Sequence, residues 1–348
     1  MLDFSNCQLE ILAVHQVGNQ TNEMPLVLSE SEIDLADETL TGLLGQYFLS
    51  PFEALGEFYA FDTTHNEGVN LVLEQVAAIF SGSETFMENS AAIATHLFEV
   101  SLLPQIKSGD LFVALFSDVL VEDELVLAVG IFKSEQKHPF LKVGFHQHQS
   151  SVDYQDGINV DKLDKGCLIF NTNKAGGYKL CMIDKSSKAT EAVFWKETFL
   201  GIKPYVDSYH FTKDFLNLTK NFVTKELGKE APVSKAEKIE LLNRSIDYFK
   251  KNEKFEKEDF EKAVFQEDDL IDSFRNYDEV YREKRDLEIA DEFDISPLAL
   301  KKQEKSMKSV LKLDKNFHIY IHGDQELIEH GIDNDGRKYY KIYYQDEY

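Results

Sequence analysis

The sequence predicts an α+β protein: N-terminal helices plus an antiparallel meander, followed by a helical region and a C-terminal β-hairpin. Three observations carry this. Between Asp161 and Pro204, the apolar run Cys167–Phe170 and an alternating run through Tyr178, Leu180, Met182 and Ile183 flank a turn at Asn173 and Gly176–Gly177. Glycine supplies the positive φ such a turn needs. Upstream, LFVALFSDVL and LVLAVGIFKS are β-rich runs joined by Val121, Glu122, Asp123 and Glu124. Beyond Tyr205 the apolar period changes from two to between three and four, the mark of amphipathic helices. The expected division is an α+β domain over 1–204, a helical region over 205–316 and a hairpin over 317–348.

The elements follow in order. Leu9, Ile11 and Ala13 alternate in an opening strand that Gly18–Asn19 ends. Ser29 and Ser31 precede an acidic turn and a helix marked by Leu40, Leu43, Leu44 and Phe48, stopped near Pro51. A second helix runs from Leu71 to Ser81–Gly82, and a third, capped near Ser83, carries Met87, Ile93, Leu97 and Val100. After the two β-rich runs comes a strand from Phe140 to His148. Ala192, Trp195 and Phe199 then recur at helical spacing, which sets the single tryptophan on the apolar face of a short helix. In the second half, Ser234 and Glu237 form a capping box before Ile239, Leu242, Ile246 and Phe249. Phe255 to Phe265 and Leu270 to Tyr281 mark two further segments, and Ser296–Pro297 restarts a helix. FHIYIHGD and RKYYKIYYQ are expected to pair around Asn334–Asp335–Gly336.

Charge bounds function more sharply than composition does. With 348 residues, 43% hydrophobic and 28% charged, the chain is globular. Its net charge of −25 opposes coating of DNA by general attraction. The first 106 residues hold 16 acids and no lysine or arginine, so a nucleic-acid surface is expected beyond them. That acidic stretch reads as a solubilising surface or as a docking face for a basic partner. No apolar run approaches the roughly 20 residues of a membrane span, and MLDFSNCQLE lacks the basic start of a signal peptide. Cys7, Cys167 and Cys181 read as reduced thiols of a cytoplasmic protein, the latter two as small core residues.

Two constellations carry chemistry. Lys301, Lys305, Lys308, Lys312 and Lys315 are spaced 4, 3, 4 and 3, which makes a basic stripe on a continuous helix, with Lys302 beside it. Such a stripe suits successive phosphates of a duplex; the plain alternative is a solvated helix face. The second constellation is Glu135-x-Lys137 at a strand end with Asp110, Asp118 and Asp123 upstream, Asp118 being the one set with Glu135 and Lys137. Metal-dependent nucleases use carboxylates and a lysine in this way to hold Mg²⁺ and stabilise phosphorane charge, although charged strand ends are commonly just solvated. Arg282, Lys284 and Arg285 form a lesser basic cluster among Glu283, Asp286 and Glu288. His146-x-His148 and the pair His318 and His322 lack a third ligand, and Asp333-x-Asp335–Gly336 reads as a hairpin turn, so no metal is expected. Walker, dinucleotide and nucleophile-elbow motifs are absent, and no cofactor is expected.

The runs DKGCLIFN, GGYKLCMID and AVFWKETFLG, with LEILAVHQVGN and AVGIFKSEQKHPFLKV, resemble the nucleoid-associated protein family often called YejK or NdpA. The resemblance implies a bacterial nucleoid protein that binds double-stranded DNA with little sequence preference and contacts a DNA topoisomerase. It carries no motif that pins DNA-contacting residues, so the lysines above rest on spacing alone. A Mg²⁺-dependent nuclease and an acidic adaptor for a basic protein partner are the alternatives, and self-association is left open.

Overall fold

The computed structural model describes every residue except 1, 54, 64–69, 147–148, 186–192, 230–232, 286, 308–309, 314–316, 321–327, 334 and 346–348. The chain divides into two compact units, Met1–Tyr205 and Val206–Tyr348. It is an α+β protein, with helices set against antiparallel sheets.

The first unit is organised on one eight-stranded sheet. Its strands are β1 (Leu2–Asp3), β2 (Gln8–Val17), β3 (Tyr59–Phe61), β4 (Gly109–Val121), β5 (Glu124–Ser134), β8 (Lys165–Phe170), β9 (Lys179–Asp184) and β10 (Ile202–Pro204). A separate ribbon pairs β6 (His138–His146) with β7 (Gln149–Gly157). The sheet order is β1-β4-β5-β8-β9-β3-β10, with β2 also on β4. Glu122 and Asp123, both at positive φ, turn β4 into β5, the geometry that matches the right-handed twist of the paired strands. At the β8–β9 turn, Gly177 has φ +88° and its Cα lies so close to the Phe61 carbonyl that a Cβ would stand 2.5 Å from that oxygen. Phe61 N–H donates to the Gly177 carbonyl at 2.9 Å, which ties β3 to this turn.

Both sheet faces are covered. On one, Val113, Ile131, Ile169 and Leu180 meet α2 (Leu71–Ser81), α3 (Phe86–Val100) and the π-helix Phe194–Leu200. Trp195 and Phe199 are buried there with ring centroids 4.8 Å apart, as the helical spacing predicts, although the turn is the wider π form. Ala192 lies outside the described residues. On the other face, Ala114, Ala128, Phe132 and Leu168 meet α1 (Glu38–Leu49), where Phe48 stacks on Phe132 at 4.3 Å. The cap of α1 is Asp37, whose carboxylate accepts from Thr39 and Leu40 N–H. Cys167 pairs with Met182 and Cys181 with Leu168, so the two thiols sit on opposite faces as core residues.

The second unit packs α4 (Ser208–Asn221), α5 (Lys235–Lys251), α6 (Lys257–Val264), α7 (Asp268–Arg285) and α8 (Pro297–Met307) around an aromatic core. The capping box is formed: Glu237 N–H donates to Ser234 Oγ at 3.1 Å and Ser234 N–H to Glu237 Oε2 at 2.7 Å. Two strands, β11 (Lys254–Glu256) and β12 (Glu292–Asp294), pair across the unit. The C-terminal region is β-hairpin as expected, but FHIYIHGD and RKYYKIYYQ pair with other strands and not with each other. β14 (Phe317–Tyr320) pairs with β13 (Val310–Leu313), and β16 (Lys338–Ile342) pairs with β15 (Ile328–Ile332). Each strand takes its nearest neighbour, which closes the shorter loop. Among the described residues, no helix is long and apolar enough to cross a membrane.

Candidate nucleic-acid interface

The end of β5 holds a buried ionic network. Lys133 and Lys165 are directly opposite in the β5–β8 ladder, an arrangement of like charges that is unfavourable by itself. Glu135 resolves it, with Oε1 at 3.1 Å from Lys133 Nζ and 3.5 Å from Lys165 Nζ. Lys165 also reaches Asp184 Oδ1 at 3.4 Å, and Lys133 donates to the Lys107 carbonyl at 2.5 Å. Burial pulls the Lys133 ammonium below the usual lysine range, and the Glu135 carboxylate opposes that shift. Asp164 fixes the following turn by accepting from Glu135 N–H at 2.7 Å and Gln136 N–H at 3.1 Å. Lys137 pairs with Asp110 at 3.1 Å.

Of the upstream aspartates, Asp110 is brought to Lys137 and Asp118 is not, so the trio Asp118, Glu135 and Lys137 is not assembled. Glu135 is engaged by two lysines, whereas Asp118 stands at the bulge at the far end of β4, with φ 55°. Asp110, not Asp118, lies opposite Ser134, and the eight residue steps along β4 from Asp110 to Asp118 span on the order of 25 Å. Among the described residues, no three His, Cys, Asp or Glu side chains converge in a way that could hold a metal ion. Asp333 Oδ1 accepts from Asp335 and Arg337 N–H, as a turn-forming aspartate does.

The lysine stripe is on the page in part. Ser296 caps α8, with Ala299 N–H donating to its Oγ at 3.4 Å, and Pro297 opens the first turn. Lys301 and Lys302 are exposed on α8 and Lys305 follows on the same helix. The described helix runs to Met307 and β13 begins at Val310, so the expected continuous stripe does not extend to Lys312, which belongs to β13 opposite His318. Val310–Leu311–Lys312–Leu313 alternates and pairs with the β-favouring Phe317–Tyr320 run, and this local ladder overrides the 4-3-4-3 lysine period. Lys308 and Lys315 lie outside the described residues, as do His148, His322 and Asn334.

Two basic residues join α8 that the sequence did not single out. Lys250, in the last turn of α5, holds Glu304 of α8 at 2.9 Å, and exposed Lys251 follows it. Glu304 is the single acid of α8, so this pair offsets the negative charge among the lysines. The available signal was the Phe249–Lys250–Lys251 ending, where cations complement the helix C-terminus. Lys302 Nζ stands 5.4 Å from the Tyr209 ring centroid. In the lesser cluster, Arg282 Nε donates to Asp278 Oδ1 at 2.6 Å and Arg285 lies 3.9 Å over the Tyr281 ring, while Lys284 is exposed.

In the acidic first unit, a groove of about 800 Å³ opens between the first strands and α1. Leu2, Phe4, Leu35 and Leu49 give it an apolar lining, and Asp3, Glu38 and Glu53 line it with carboxylates. Comparison with curated proteins finds no match. The family model of the nucleoid-associated protein YejK matches residues 13–342 of the 348, and the chain belongs to this nucleoid-associated family.

Proposed function

We propose that the protein binds double-stranded DNA with little sequence preference, at the bacterial nucleoid, through the basic face of α8. The supporting observation is the charge arrangement: in a chain of net −25, α8 displays Lys301 and Lys302 while Lys250 offsets its one acid. Lysines on one helix contact phosphates, which are the same in every sequence, so affinity is modest and falls steeply with salt. The test is binding to a short fluorescent duplex across a salt series. Lys301→Ala, Lys302→Ala and Lys305→Ala together are expected to lower affinity at least about tenfold and to reduce the salt slope by about 3. An unchanged slope would remove α8 from the interface.

The acidic groove favours a second contact, with a basic protein partner, for which the family resemblance points to a DNA topoisomerase. Apolar lining with a carboxylate border suits a basic amphipathic segment. Asp3→Lys, Glu38→Lys and Glu53→Lys combined are expected to abolish topoisomerase capture while leaving duplex affinity unchanged. Capture that survives these changes places the contact elsewhere.

A further inference from the structure

The β6–β7 ribbon has a one-sided character that neither DNA binding nor the acidic groove uses. Its nine-pair ladder belongs to no larger sheet among the described residues. Directly opposed residues share a face, so Leu141 with Tyr154, Val143 with Val152, and Phe145 with Ser150 lie together on one side. The five apolar members of this set are between 57% and 80% exposed. The other side carries Lys142 opposite Asp153, Gly144 opposite Ser151 and one apolar side chain, Phe140, opposite Gln155, so it is the more polar of the two. An isolated two-stranded ribbon is marginal in water and needs something on its apolar face.

We propose that this face packs against the same face of a second copy of the chain, forming a two-fold dimer. Three arguments select that occupant. The first is area: the five side chains expose roughly 600 Å² of mostly apolar surface, so two copies bury about 1,200 Å² in all, the lower bound for a specific interface. The second is charge. Copies with net −25 repel each other over most of their surface, but this face carries only Asp156, at its base, opposite Pro139. The third is shape. A two-fold axis across the strands at the Val143–Val152 pair sets Tyr154 of each copy over the small Ser150 of the other, and Phe145 over Leu141. Duplex DNA is disfavoured as the occupant, because the described arm residues carry one lysine against two aspartates.

Sedimentation velocity of the full chain over a concentration series tests this. The expected result is a reversible dimer with Kd on the order of 10 µM, as befits an interface of this size. Val143→Asp with Val152→Asp is expected to give a monomer with unchanged Trp195 fluorescence, since neither side chain belongs to the core that buries Trp195. In a second measurement, Val143→Cys should cross-link rapidly to itself under mild oxidation, whereas Lys142→Cys, on the opposite face, should not. A wild-type monomer at about 100 µM, a dimer that survives the double substitution, or equal cross-linking of the two cysteine variants would each overturn the proposal. Loss of duplex affinity in the double variant of a monomeric wild type would assign the arm to nucleic acid instead.

Discussion

Glu135→Ala is expected to destabilise the first unit by about 3–5 kcal/mol, the cost of leaving a buried charge without its counterion. Lys133 is fully buried, and its described hydrogen-bond partners are the Lys107 carbonyl and Glu135. Removing the carboxylate leaves the ammonium with one carbonyl and with the like charge of Lys165 across the ladder. Denaturant unfolding followed by Trp195 fluorescence measures the loss, because the one tryptophan is in this unit. The pH dependence follows from the same residue. Burial lowers the folded-state pKa of Lys133 below the unfolded value, and deleting Glu135 lowers it further. The unfolded chain therefore holds more protons in that window, and stability of the variant recovers as pH rises toward the ordinary lysine range. The deficit against wild type should be largest near neutrality and narrow in mild alkali. Glu135→Gln keeps an acceptor in place and should recover part of the loss. A deficit below about 1 kcal/mol would show that the network is better solvated than its geometry indicates. A nuclease role predicts the reverse pattern, with Mg²⁺-dependent nicking lost and stability retained.

What the sequence made legible was local. The β8–β9 hairpin is readable from Gly176–Gly177 between two apolar runs, and the capping box from Ser234 and Glu237, because each signal is complete within a few residues. The ionic network joins Lys133, Glu135, Lys165 and Asp184 from three strands, and nothing within any one strand announces the others. The ribbon was half visible. β6 alternates strongly, but β7 offers only Val152 and Tyr154 among polar residues, so the polar strand passes for a loop. At the C-terminus, two strong β-formers invite pairing with each other, but the weaker Val310–Leu313 and Ile328–Ile332 stand nearer to each. The lysine period failed for a related reason. A spacing of three and four describes a helix only while the chain remains helical, and strand pairing at β13 ends that condition.

Phe215→Ala carries the largest expected effect in the second unit. Phe215, on α4, is fully buried, with ring centroids at 4.3 Å from Phe255, 5.0 Å from Phe260, 6.1 Å from Phe274 and 6.2 Å from Phe249. It thus joins α4 to α5, β11, α6 and α7, and no neighbour can fill its volume without leaving another gap. Truncation of such a residue costs about 3–5 kcal/mol in lost transfer and cavity energy. For a unit of this size, that lowers Tm by roughly 10–15 °C. Two probes separate the units: helical circular dichroism reports both, while Trp195 fluorescence reports only the first. The expected outcome is an early loss of part of the helical signal, with the fluorescence transition unmoved. Coincident transitions in wild type and variant would mean that the two units unfold cooperatively. A shift below about 3 °C would mean that the aromatic core closes over the vacancy, and Phe222→Ala, whose ring lies 5.2 Å from Phe274 and 5.6 Å from Phe265, would then decide whether the rest of the cluster is equally forgiving.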